Sequence, residues 1–343
     1  MSSVLVAMSG GVDSSVAAAL LRDQGHEVVG VTMKLWGGES DTGCCSVADV
    51  DDARRVAQQL EIDHLVFNFT EDFDAHVVTP YVDAHRQGRT PNPCVECNRH
   101  LKFDRLLERG RVLGFDFVAT GHHCRVAVDH RGVRRVARGR DRAKDQSYVV
   151  HMLDHGRLAS IQFPVGALSK ADVRREAARR GLRTAAKPDS QDVCFITASG
   201  RDAFLGARIE LRPGRVVDDT GAAVATVPAV ELVTVGQRRG LGLPGGRPPQ
   251  FVTAIDTATA TISVGPRESL LTNALALDEL HWNGAPSTGA VLVQVSAHGL
   301  PRRATVVDDV AVWERPEKIV AAGQSVVIYD DTDRVVLGSG IAR

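Results

Sequence analysis

Three groups of residues in this chain of 343 residues have the types and spacing that chemistry needs: a glycine–serine loop, a set of cysteines and a run of arginines. The loop reads Ser9-Gly10-Gly11-Val12-Asp13-Ser14-Ser15. Its glycines let backbone N–H groups approach a ligand closely, its serines add hydroxyl donors, and a helix start adds partial positive charge. The loop therefore predicts a site for an anion of phosphate size, and an ordinary glycine-rich turn is the alternative.

The segments on either side of the loop predict how it is held. An apolar run from Val4 to Met8 is typical of a buried parallel strand, and apolar residues recur at helical spacing after the loop. They are Val12, Val16, Ala19 and Leu20. The loop is not the Walker sequence, because no Gly-Lys-Ser/Thr ends it, and it is not Gly-x-Gly-x-x-Gly. It resembles the signature of the ATP pyrophosphatases, which implies that it grips pyrophosphate and that AMP is placed on a substrate oxygen.

Two cysteines lie in motifs that favour reactive thiols. Cys97 lies in the segment 90–98, just before a helix predicted over residues 99–113, and a helix N-terminus lowers the pKa of a thiol. Cys194 lies in the segment 187–195, so only the fold could bring the two together. Three further cysteines are interpreted as ordinary thiols: Cys44, Cys45 and Cys124.

The arginine-rich stretch runs from Arg131 to Lys144, and Asp141 is its only acid. Its basic residues are Arg131, Arg134, Arg135, Arg138, Arg140, Arg142 and Lys144. Such a stretch predicts a surface for contact with a phosphate backbone, and a solvated hairpin is the alternative. The net charge of the whole chain is only −1, so a nucleic-acid surface must be a local patch.

Length and composition set the class of protein. The chain is long enough for two or three domains, and 43% of its residues are hydrophobic. Six cysteines without a recognisable signal peptide argue against a framework of structural disulfides. No apolar run approaches the ~20 residues of a membrane span. We therefore expect a cytoplasmic enzyme.

Strand and helix patterns alternate over residues 1 to about 120, which predicts an α/β fold with a doubly wound parallel sheet. The predicted strands are 4–8, 27–33, 64–69 and 115–120, and the predicted helices are 49–60, 71–86 and 99–113, with a later helix capped by Ser169 that stops at Gly181. Ligands of such sheets bind beyond the carboxyl ends of the strands. Met33 and Gly121-His122 both end strands at that rim, where Met33 is expected to contact adenine.

From about Gly214 the pattern changes to short β-rich runs between turn residues. These runs are 226–235, 250–264, 290–297, 303–313 and 325–341. One or two small β domains, of the barrel type, are expected there. We accordingly predict a catalytic domain over residues 1–200, a small central β domain over 201–268 and a C-terminal β-barrel domain over 269–343.

Several motifs together make the chain similar to the bacterial tRNA-specific 2-thiouridylases over nearly its whole length. Besides the loop, the motifs are Gly88–Pro93, Cys97-Asn98, Gly121-His122, Lys144–Tyr148, Asp189-Ser190, Cys194–Ile196 and Val235–Gly242. The resemblance implies an adenine nucleotide alpha hydrolase-like catalytic domain. It also implies that ATP adenylates the C2 oxygen of the wobble uridine with release of pyrophosphate. A persulfide sulfur then displaces AMP and leaves 2-thiouridine.

The resemblance also assigns residues and partners. Cys194 matches the persulfide carrier and Cys97 the nucleophile or resolving thiol, and the pair can end as a disulfide. The positions matched to nucleotide binding are Ala7, Met8, Ser9, Gly10, Gly11, Val12, Asp13, Ser14, Met33 and Gly121. Those matched to the target base are Asn92, Pro93 and Cys94, and those matched to tRNA are His122, Lys144, Asp145, Gln146 and Gln324. The family also implies ATP with magnesium, tRNA acceptors for Lys, Glu and Gln, and a cysteine desulfurase or sulfur-relay protein.

Three positions depart from the family pattern. Cys94 stands where relatives often have Asp, which creates Cys94-x-x-Cys97, and with Cys194 three thiols could hold an iron–sulfur cluster with one open iron. A zinc site is disfavoured, because the adjacent residues Cys44 and Cys45 would rarely both ligate one ion. His123 replaces the usual aromatic residue after Gly-His, and Ser296 replaces a common Arg of the C-terminal domain.

Two other functions share the loop. An ATP pyrophosphatase that adenylates a small molecule, such as an amidating synthetase, would need neither Cys97 and Cys194 nor the arginine stretch. A nucleotide-binding regulator without chemistry would keep the loop but not the paired thiols. Release of pyrophosphate that depends on tRNA distinguishes the three.

Overall fold

The computed structural model describes residues 1–36, 47–129, 131–189, 193, 195–196, 200–246 and 248–343. Cys44, Cys45, Ser190 and Cys194, which the sequence singles out, lie outside the described residues. The chain divides into two compact units. The first consists of Met1–Val78, Pro93–Ala198 and Arg334–Val336, and the second of Thr79–Asn92, Ser199–Asp333 and Leu337–Arg343.

The elements before residue 200 alternate strands and helices. The strands are β1 Ser3–Ala7, β2 Glu27–Lys34, β3 Asp63–Asn68, β4 Phe117–Thr120, β5 Cys124–Val128, β6 Arg134–Arg138 and β7 Ile161–Gln162. The helices are α1 Val12–Asp23, α2 Val47–Gln59, α3 Thr70–Phe73, α4 Thr79–Arg86, α5 Pro93–Glu96, α6 Leu106–Val112, α7 His155–Leu158 and α8 Lys170–Arg179. Asp74–Val78 and Cys97–Arg105 are π-helical, and Ser147–Val150 is a 3₁₀ turn.

The elements after residue 200 are mostly strands. They are β8 Gly214–Val217, β9 Ala223–Val227, β10 Phe251–Asp256, β11 Thr261–Gly265, β12 Leu271–Trp282, β13 Ala290–Gln294, β14 Arg302–Val307, β15 Val310–Lys318, β16 Ser325–Tyr329 and β17 Val336–Ala342. The helical elements there are α9 Gly200–Gly206 and the 3₁₀ turns Val230–Leu232 and Arg267–Leu270. No helix in the described ranges is both long enough and apolar enough to cross a membrane.

A five-stranded parallel sheet is the frame of the first unit, with the strand order β3-β2-β1-β4-β7. β1 is central, because Leu5 pairs with Val29 of β2 on one side and with Val118 of β4 on the other. The chain runs outward from β1 to β3 and then returns to β4, so the strand order reverses between β1 and β4. Ligands of open α/β sheets bind at such a switch point. The predicted doubly wound parallel sheet is confirmed.

Apolar side chains fix the loop between β1 and α1 from both ends. Val4 and Val6 of β1 are fully buried in one cluster with Val16 of α1, and α2 and α8 close this cluster with Val56 and Val173. Burial of aliphatic side chains of this size stabilises the fold by about 1.5–3 kcal/mol each. The loop is therefore anchored at both of its ends in this buried cluster.

The helical segment around Cys97 begins earlier than the sequence predicts. Helical structure starts at Pro93 and continues through the π-helical segment to Val112, so Cys97 lies one turn inside it rather than before its start. Pro93 suits a first helical position, because a proline lacks the N–H group that would have no partner there. The expected helix-start setting of Cys97 is therefore wrong.

The second unit contains two β structures. A four-stranded sheet has the order β10-β11-β8-β9, and a closed barrel has the order β12-β15-β14-β13-β16-β17. Leu277, Val293 and Ile328 are buried in the core of the barrel. Closure leaves no unpaired strand edge. The C-terminal β barrel that the sequence predicts is confirmed, and it includes the long strand β12, which the sequence pattern did not reveal.

Candidate active site

The Gly loop, residues 9–15, has the geometry of an anion site. Gly10 adopts the left-handed conformation with φ of +69°, and a Cβ atom there would lie 2.4 Å from the carbonyl oxygen of Asp49, so only glycine fits. Gly11 is the N-cap of α1 and has no side chain to bond the first N–H groups of the helix. Those N–H groups point out of the helix start, where the helix dipole also favours negative charge.

Two serines of the Gly loop fix its curvature. The Ser14 hydroxyl accepts from the backbone N–H of Ser9 at 3.2 Å and donates to the carbonyl of Gly11 at 3.2 Å. The Ser15 hydroxyl donates to the same carbonyl at 2.8 Å and accepts from Thr184 at 3.1 Å. The loop is thus preorganised by its own side chains before a ligand arrives.

Gly121 lets β4 approach the Gly loop closely. A Cβ atom at this position would lie 2.6 Å from the backbone nitrogen of Ser14 and 2.7 Å from the carbonyl carbon of Asp13. Both are main-chain atoms of α1, which cannot move aside cheaply. The ends of β1 and β4 therefore meet at the start of α1, as the position of Gly121-His122 predicts.

Gly121→Ala is a direct test of this packing. Overpacking should lower the free energy of unfolding by about 1–3 kcal/mol and the affinity for ATP by about tenfold, because the added methyl group pushes the start of α1 out of place. Thermal unfolding and calorimetric titration with α,β-methylene ATP measure the two effects. Gly289→Ala is the control, since a Cβ atom there meets no atom within 4 Å. Wild-type affinity in Gly121→Ala would show that the close approach does not shape the site.

The carboxylate of Asp13, at the second position of α1, is held by two cationic or donor groups. Lys170 Nζ lies 2.8 and 2.7 Å from its two oxygens, and His123 Nε2 lies 3.0 Å from Oδ1. Burial alone would raise the pKa of Asp13, but the hydrogen bonds from His123 and Lys170 outweigh it and hold this pKa below its usual value. Asp13 is therefore a carboxylate at neutral pH, and His123, which departs from the family pattern, is buried against it.

Lys170 also contacts Asp189, the acid of the 187–195 motif. Its Nζ lies 2.8 Å from Asp189 Oδ1, and the same carboxylate accepts from Lys144 at 2.9 Å and from Arg174 at 2.7 Å. Burial raises the pKa of Asp189, but the hydrogen bonds from Lys170 and Lys144 dominate and lower it to about 2. One ion-pair network thus runs from the Gly loop to the segment that continues to Cys194.

The sequence pattern did not reveal Lys170 and Arg174 as site residues. Lys170 is the first residue of α8, after the Ser169 N-cap that the sequence predicts, and a lysine there is opposed by the helix dipole. A cation at a helix start is therefore a usable signal that another group holds it. Arg174 gives no comparable signal, because an arginine inside an amphipathic helix is ordinary.

His122 and Cys97 are buried, whereas Cys94 is exposed. His122 Nδ1 lies 2.7 Å from the hydroxyl of Thr120, and its ring lies near Phe103. Burial first, and then the charge of Lys102, lower the pKa of His122 well below its usual value, so the ring is neutral. Cys124, interpreted as an ordinary thiol, is buried too, and burial raises its pKa well above the usual value.

The Lys144–Gln146 segment is bonded within the first unit. The Asp145 carboxylate accepts from Arg138 Nη1 at 2.9 Å and from the backbone N–H of Gly139 at 2.6 Å. The Gln146 side-chain oxygen accepts from the backbone N–H of His123 at 2.8 Å. Lys144 remains well exposed beside Asp189. Contacts of these three residues with tRNA stay predictions.

The arginine stretch contains β6, which pairs antiparallel with β5, and the members of the stretch differ in role. Arg138 and Asp145 form a buried ion pair, with 7% and 5% of their side chains exposed, whereas Arg131 and Arg140 are exposed.

Arg138→Gln should lower the free energy of unfolding by about 3–5 kcal/mol, because it leaves Asp145 as a buried unpaired charge. Urea unfolding measures this loss, and a loss within about 0.5 kcal/mol would contradict it.

The exposed residues Arg131 and Arg140 provide the comparison for the buried residue Arg138. The double variant Arg131→Gln with Arg140→Gln should unfold like the wild type, yet bind tRNA with a weaker salt dependence. Each lost phosphate contact should reduce the log–log slope by about 0.7–0.9, measured by filter binding over a range of salt concentrations. An unchanged slope would show that these two arginines are solvated and do not contact tRNA phosphates.

Asn92 and Gln324 lie in the second unit, where the segments next to them meet. The backbone N–H of Thr90 donates to the carbonyl of Ala322 at 2.8 Å, and a Cβ atom on Gly323 would lie 3.0 Å from Cβ of Arg89. The structure therefore brings the segment matched to the target base next to a segment matched to tRNA that is far away in sequence. Met33, the predicted adenine contact, is buried near the end of β2.

Comparison with known proteins assigns the family. The family model described as the tRNA methyl transferase HUP domain matches residues 2–198, and that described as the tRNA methyl transferase PRC-barrel domain matches residues 202–266. The chain is 41% identical to the tRNA-specific 2-thiouridylase MnmA of Roseiflexus castenholzii, with all of both chains covered. It is 45% identical to the protein of that name from Chloroflexus aggregans, over 100% of this chain and 99% of the relative. It is also 45% identical to that from Mycobacteroides abscessus, over 98% of each. The chain belongs to the tRNA-specific 2-thiouridylase family.

Proposed function

We propose that this chain converts the wobble uridine of tRNA into 2-thiouridine at the expense of ATP. The observation that carries the proposal is the Gly loop, uncapped and preorganised at the β1–β4 switch point of a chain that matches 2-thiouridylases over its full length. An amidating synthetase or a regulator accounts for the loop but not for the full-length identity to these relatives. The thiouridylase proposal accounts for both.

The proposed chemistry makes a poor leaving group into a good one. The C2 oxygen of uridine attacks the α-phosphorus of ATP, the bond to the bridging oxygen breaks, and pyrophosphate leaves from the Gly loop. The terminal sulfur of a persulfide on Cys194 then attacks C2, and the C2–O bond breaks as AMP departs. The thiolate of Cys97 cleaves the remaining S–S bond, which leaves a Cys97–Cys194 disulfide that a thiol reductant must reopen.

The residues that the structure describes support particular steps of this reaction. The start of α1 would bind the departing pyrophosphate, and the close approach that Gly121 allows would leave room for the nucleotide beyond the ends of β1 and β4. Magnesium, when bound, would neutralise phosphate charge. It would be held chiefly by the ATP phosphates, because the only acid of the Gly loop, Asp13, already accepts from Lys170 and His123.

The tRNA is proposed to bind through its phosphates to exposed basic residues, including Arg131, Arg140 and Lys144. Asn92, matched to the target base, and Gln324, matched to tRNA, are also proposed to contact the substrate. A stacked wobble base is out of reach of the Gly loop, so the uridine must leave the anticodon stack. We propose that the protein acts in the cytoplasm and that its substrates are the tRNAs that accept Lys, Glu and Gln. A cysteine desulfurase or a sulfur-relay protein would supply the persulfide.

An iron–sulfur cluster is a narrower proposal that Cys94 motivates. Cys94 and Cys97 are three residues apart in one helical run and so lie on neighbouring positions of its surface. In the described part of the chain, no group of three His, Cys, Asp or Glu residues is placed to hold a metal ion. The third thiol of the proposed cluster, Cys194, lies outside that part.

Cys94→Asp tests the cluster. Because relatives often carry Asp at this position, the variant should keep wild-type activity within about twofold if Cys94 only lines the base pocket. If Cys94 ligates iron, the variant should lose iron and the visible charge-transfer band after anaerobic purification. Wild-type protein that is active with a persulfide donor, yet has neither iron nor band, would remove the cluster.

The proposed function is tested by a complete reaction. Purified protein, ATP, magnesium, cysteine desulfurase with cysteine, and unmodified tRNA should yield 2-thiouridine at the wobble position, measured by mass spectrometry of nucleosides. A tRNA with cytidine at that position is the control and should yield none. Pyrophosphate release without tRNA would favour the small-molecule synthetase, and nucleotide binding without pyrophosphate release would favour the regulator.

A further inference from the structure

One ammonium group joins the Gly loop to the segment that leads to Cys194. Lys170 Nζ lies 2.7 and 2.8 Å from the two carboxylate oxygens of Asp13 and 2.8 Å from Oδ1 of Asp189. Only 12% of the lysine side chain is exposed. An ammonium group donates at most three hydrogen bonds, so these three acceptors use its full capacity. A new acceptor at the Gly loop must therefore displace one of them.

The backbone of Lys170 is held by hydrogen bonds that do not involve its side chain. Its N–H donates to Asp141 at 2.9 Å, and a capping box between Ser169 and Asp172 fixes the first turn of α8 around it. The capping hydrogen bonds of this box are 3.1 Å on each backbone nitrogen. A change in the contacts of Lys170 is thus confined to its flexible side chain, which can exchange partners without moving the helix.

Asp189 can lose Lys170 without becoming unpaired. Lys144 and Arg174 both remain within 2.9 Å of its carboxylate, and Arg174 also donates to the carbonyls of Ala185 and Lys187. By contrast, the phosphates of ATP bring several negative charges to the start of α1, beside Asp13. The ammonium of Lys170 is then drawn toward the phosphates and away from Asp189.

We propose that Lys170 is a positioning residue that couples nucleotide binding at the Gly loop to the 187–189 segment. This deepens the proposed function and rests on it, because it assumes that the loop binds ATP. ATP loosens the hold of Lys170 on Asp189 and so alters the 187–189 segment, which precedes Cys194 in the chain. By thermodynamic reciprocity, weakening that hold must equally strengthen ATP binding.

A double-mutant cycle measures the coupling. Asp189→Asn should bind α,β-methylene ATP with magnesium about fivefold more tightly than the wild type, measured by calorimetry. In the Lys170→Met background the same change should alter affinity by less than about twofold. Lys170→Arg keeps the charge and should restore the effect of Asp189→Asn. Thermal unfolding of each variant confirms that it is folded.

Glu176→Gln is the matched control for the change of charge. Glu176 is on the same helix, its pKa is lowered to about 2 by hydrogen bonds from Arg179 and Arg180, and its removal should leave the affinity unchanged. A second readout is the rate at which iodoacetamide alkylates Cys194, which the nucleotide analogue should change in the wild type and not in Lys170→Met.

Other results overturn the coupling. If Asp189→Asn changed the affinity for the analogue equally in the wild-type and Lys170→Met backgrounds, the change would be a bulk charge effect. If it changed the affinity in neither background, the 187–189 segment would be independent of the Gly loop. In both cases the analogue still binds, so the proposed function stands. Failure of the wild type to bind the analogue would instead overturn the proposed function together with the coupling.

Discussion

Substituting alanine for Asp13 is expected to lower tRNA-dependent AMP formation by about 100-fold or more. The carboxylate holds Lys170 and His123 at the start of α1, and its loss removes both contacts from the proposed phosphate site. Misplacement of such groups by about 1 Å is enough for an effect of this size. The affinity for tRNA should change little, because the Gly loop is proposed to bind the phosphates of ATP and not RNA.

Asp23→Ala is the matched control for Asp13→Ala. Asp23 is the last residue of α1, 54% of its side chain is exposed, and its partner Arg180 also pairs with Glu176, so its removal should cost at most about 1 kcal/mol. AMP formation is followed by thin-layer chromatography of labelled ATP, and tRNA affinity by filter binding. A variant Asp13→Ala that loses tRNA binding yet still forms AMP would refute the assignment of the loop.

The largest loss of product is expected from the two proposed catalytic thiols. Cys194→Ser should lower 2-thiouridine formation on the order of 10⁴-fold or more, because a hydroxyl cannot carry the persulfide. The variant should still bind ATP and tRNA, and adenylated tRNA should accumulate. Cys97→Ser should accept the persulfide on Cys194 but fail to turn over. Mass spectrometry of each variant after loading with a desulfurase reports the position of the extra sulfur.

Cys124→Ala controls for the loss of a thiol as such. Burial raises the pKa of Cys124 and keeps it a protonated, inaccessible thiol, so its removal should leave sulfur transfer intact. A persulfide on Cys97 in the Cys194→Ser protein, with 2-thiouridine still formed, would reverse the roles of the two cysteines.

The frame of the site was predictable because its signals are local and strong. The first three strands lie within one residue of their predicted ends, since continuous apolar runs bounded by turns are distinctive. The Gly loop between β1 and α1 was likewise predictable, because its glycines and its position between a strand and a helix need no tertiary information. The Ser169 cap of α8 was predicted for the same reason.

Other features depend on tertiary contacts and escaped the sequence analysis. β12 contains Leu275, Leu277 and Leu280 among residues that favour helices, and only closure of the barrel makes it a strand. Lys170 and Asp13 are far apart in sequence, so their ion pair exists only in the fold. The burial of Arg138 against Asp145 reverses the role that its place in a basic stretch indicates.

The domain boundaries and the residue assignments remain predictions of different kinds. Compact packing groups the two β structures and α4 into one unit, whereas the predicted boundaries separate residues 201–268 from 269–343. Limited proteolysis followed by separate expression would locate the boundaries.

The most direct test of the central claim follows the oxygen atom at C2 of the target uridine. Substrate tRNA is prepared with oxygen-18 at this position and incubated with the protein, ATP, magnesium and a persulfide donor. If the protein adenylates the C2 oxygen and sulfur then displaces it, each AMP formed with a 2-thiouridine carries one heavy oxygen, measured by mass spectrometry. Formation of 2-thiouridine with unlabelled AMP, or with the label in inorganic phosphate, would contradict the proposed mechanism.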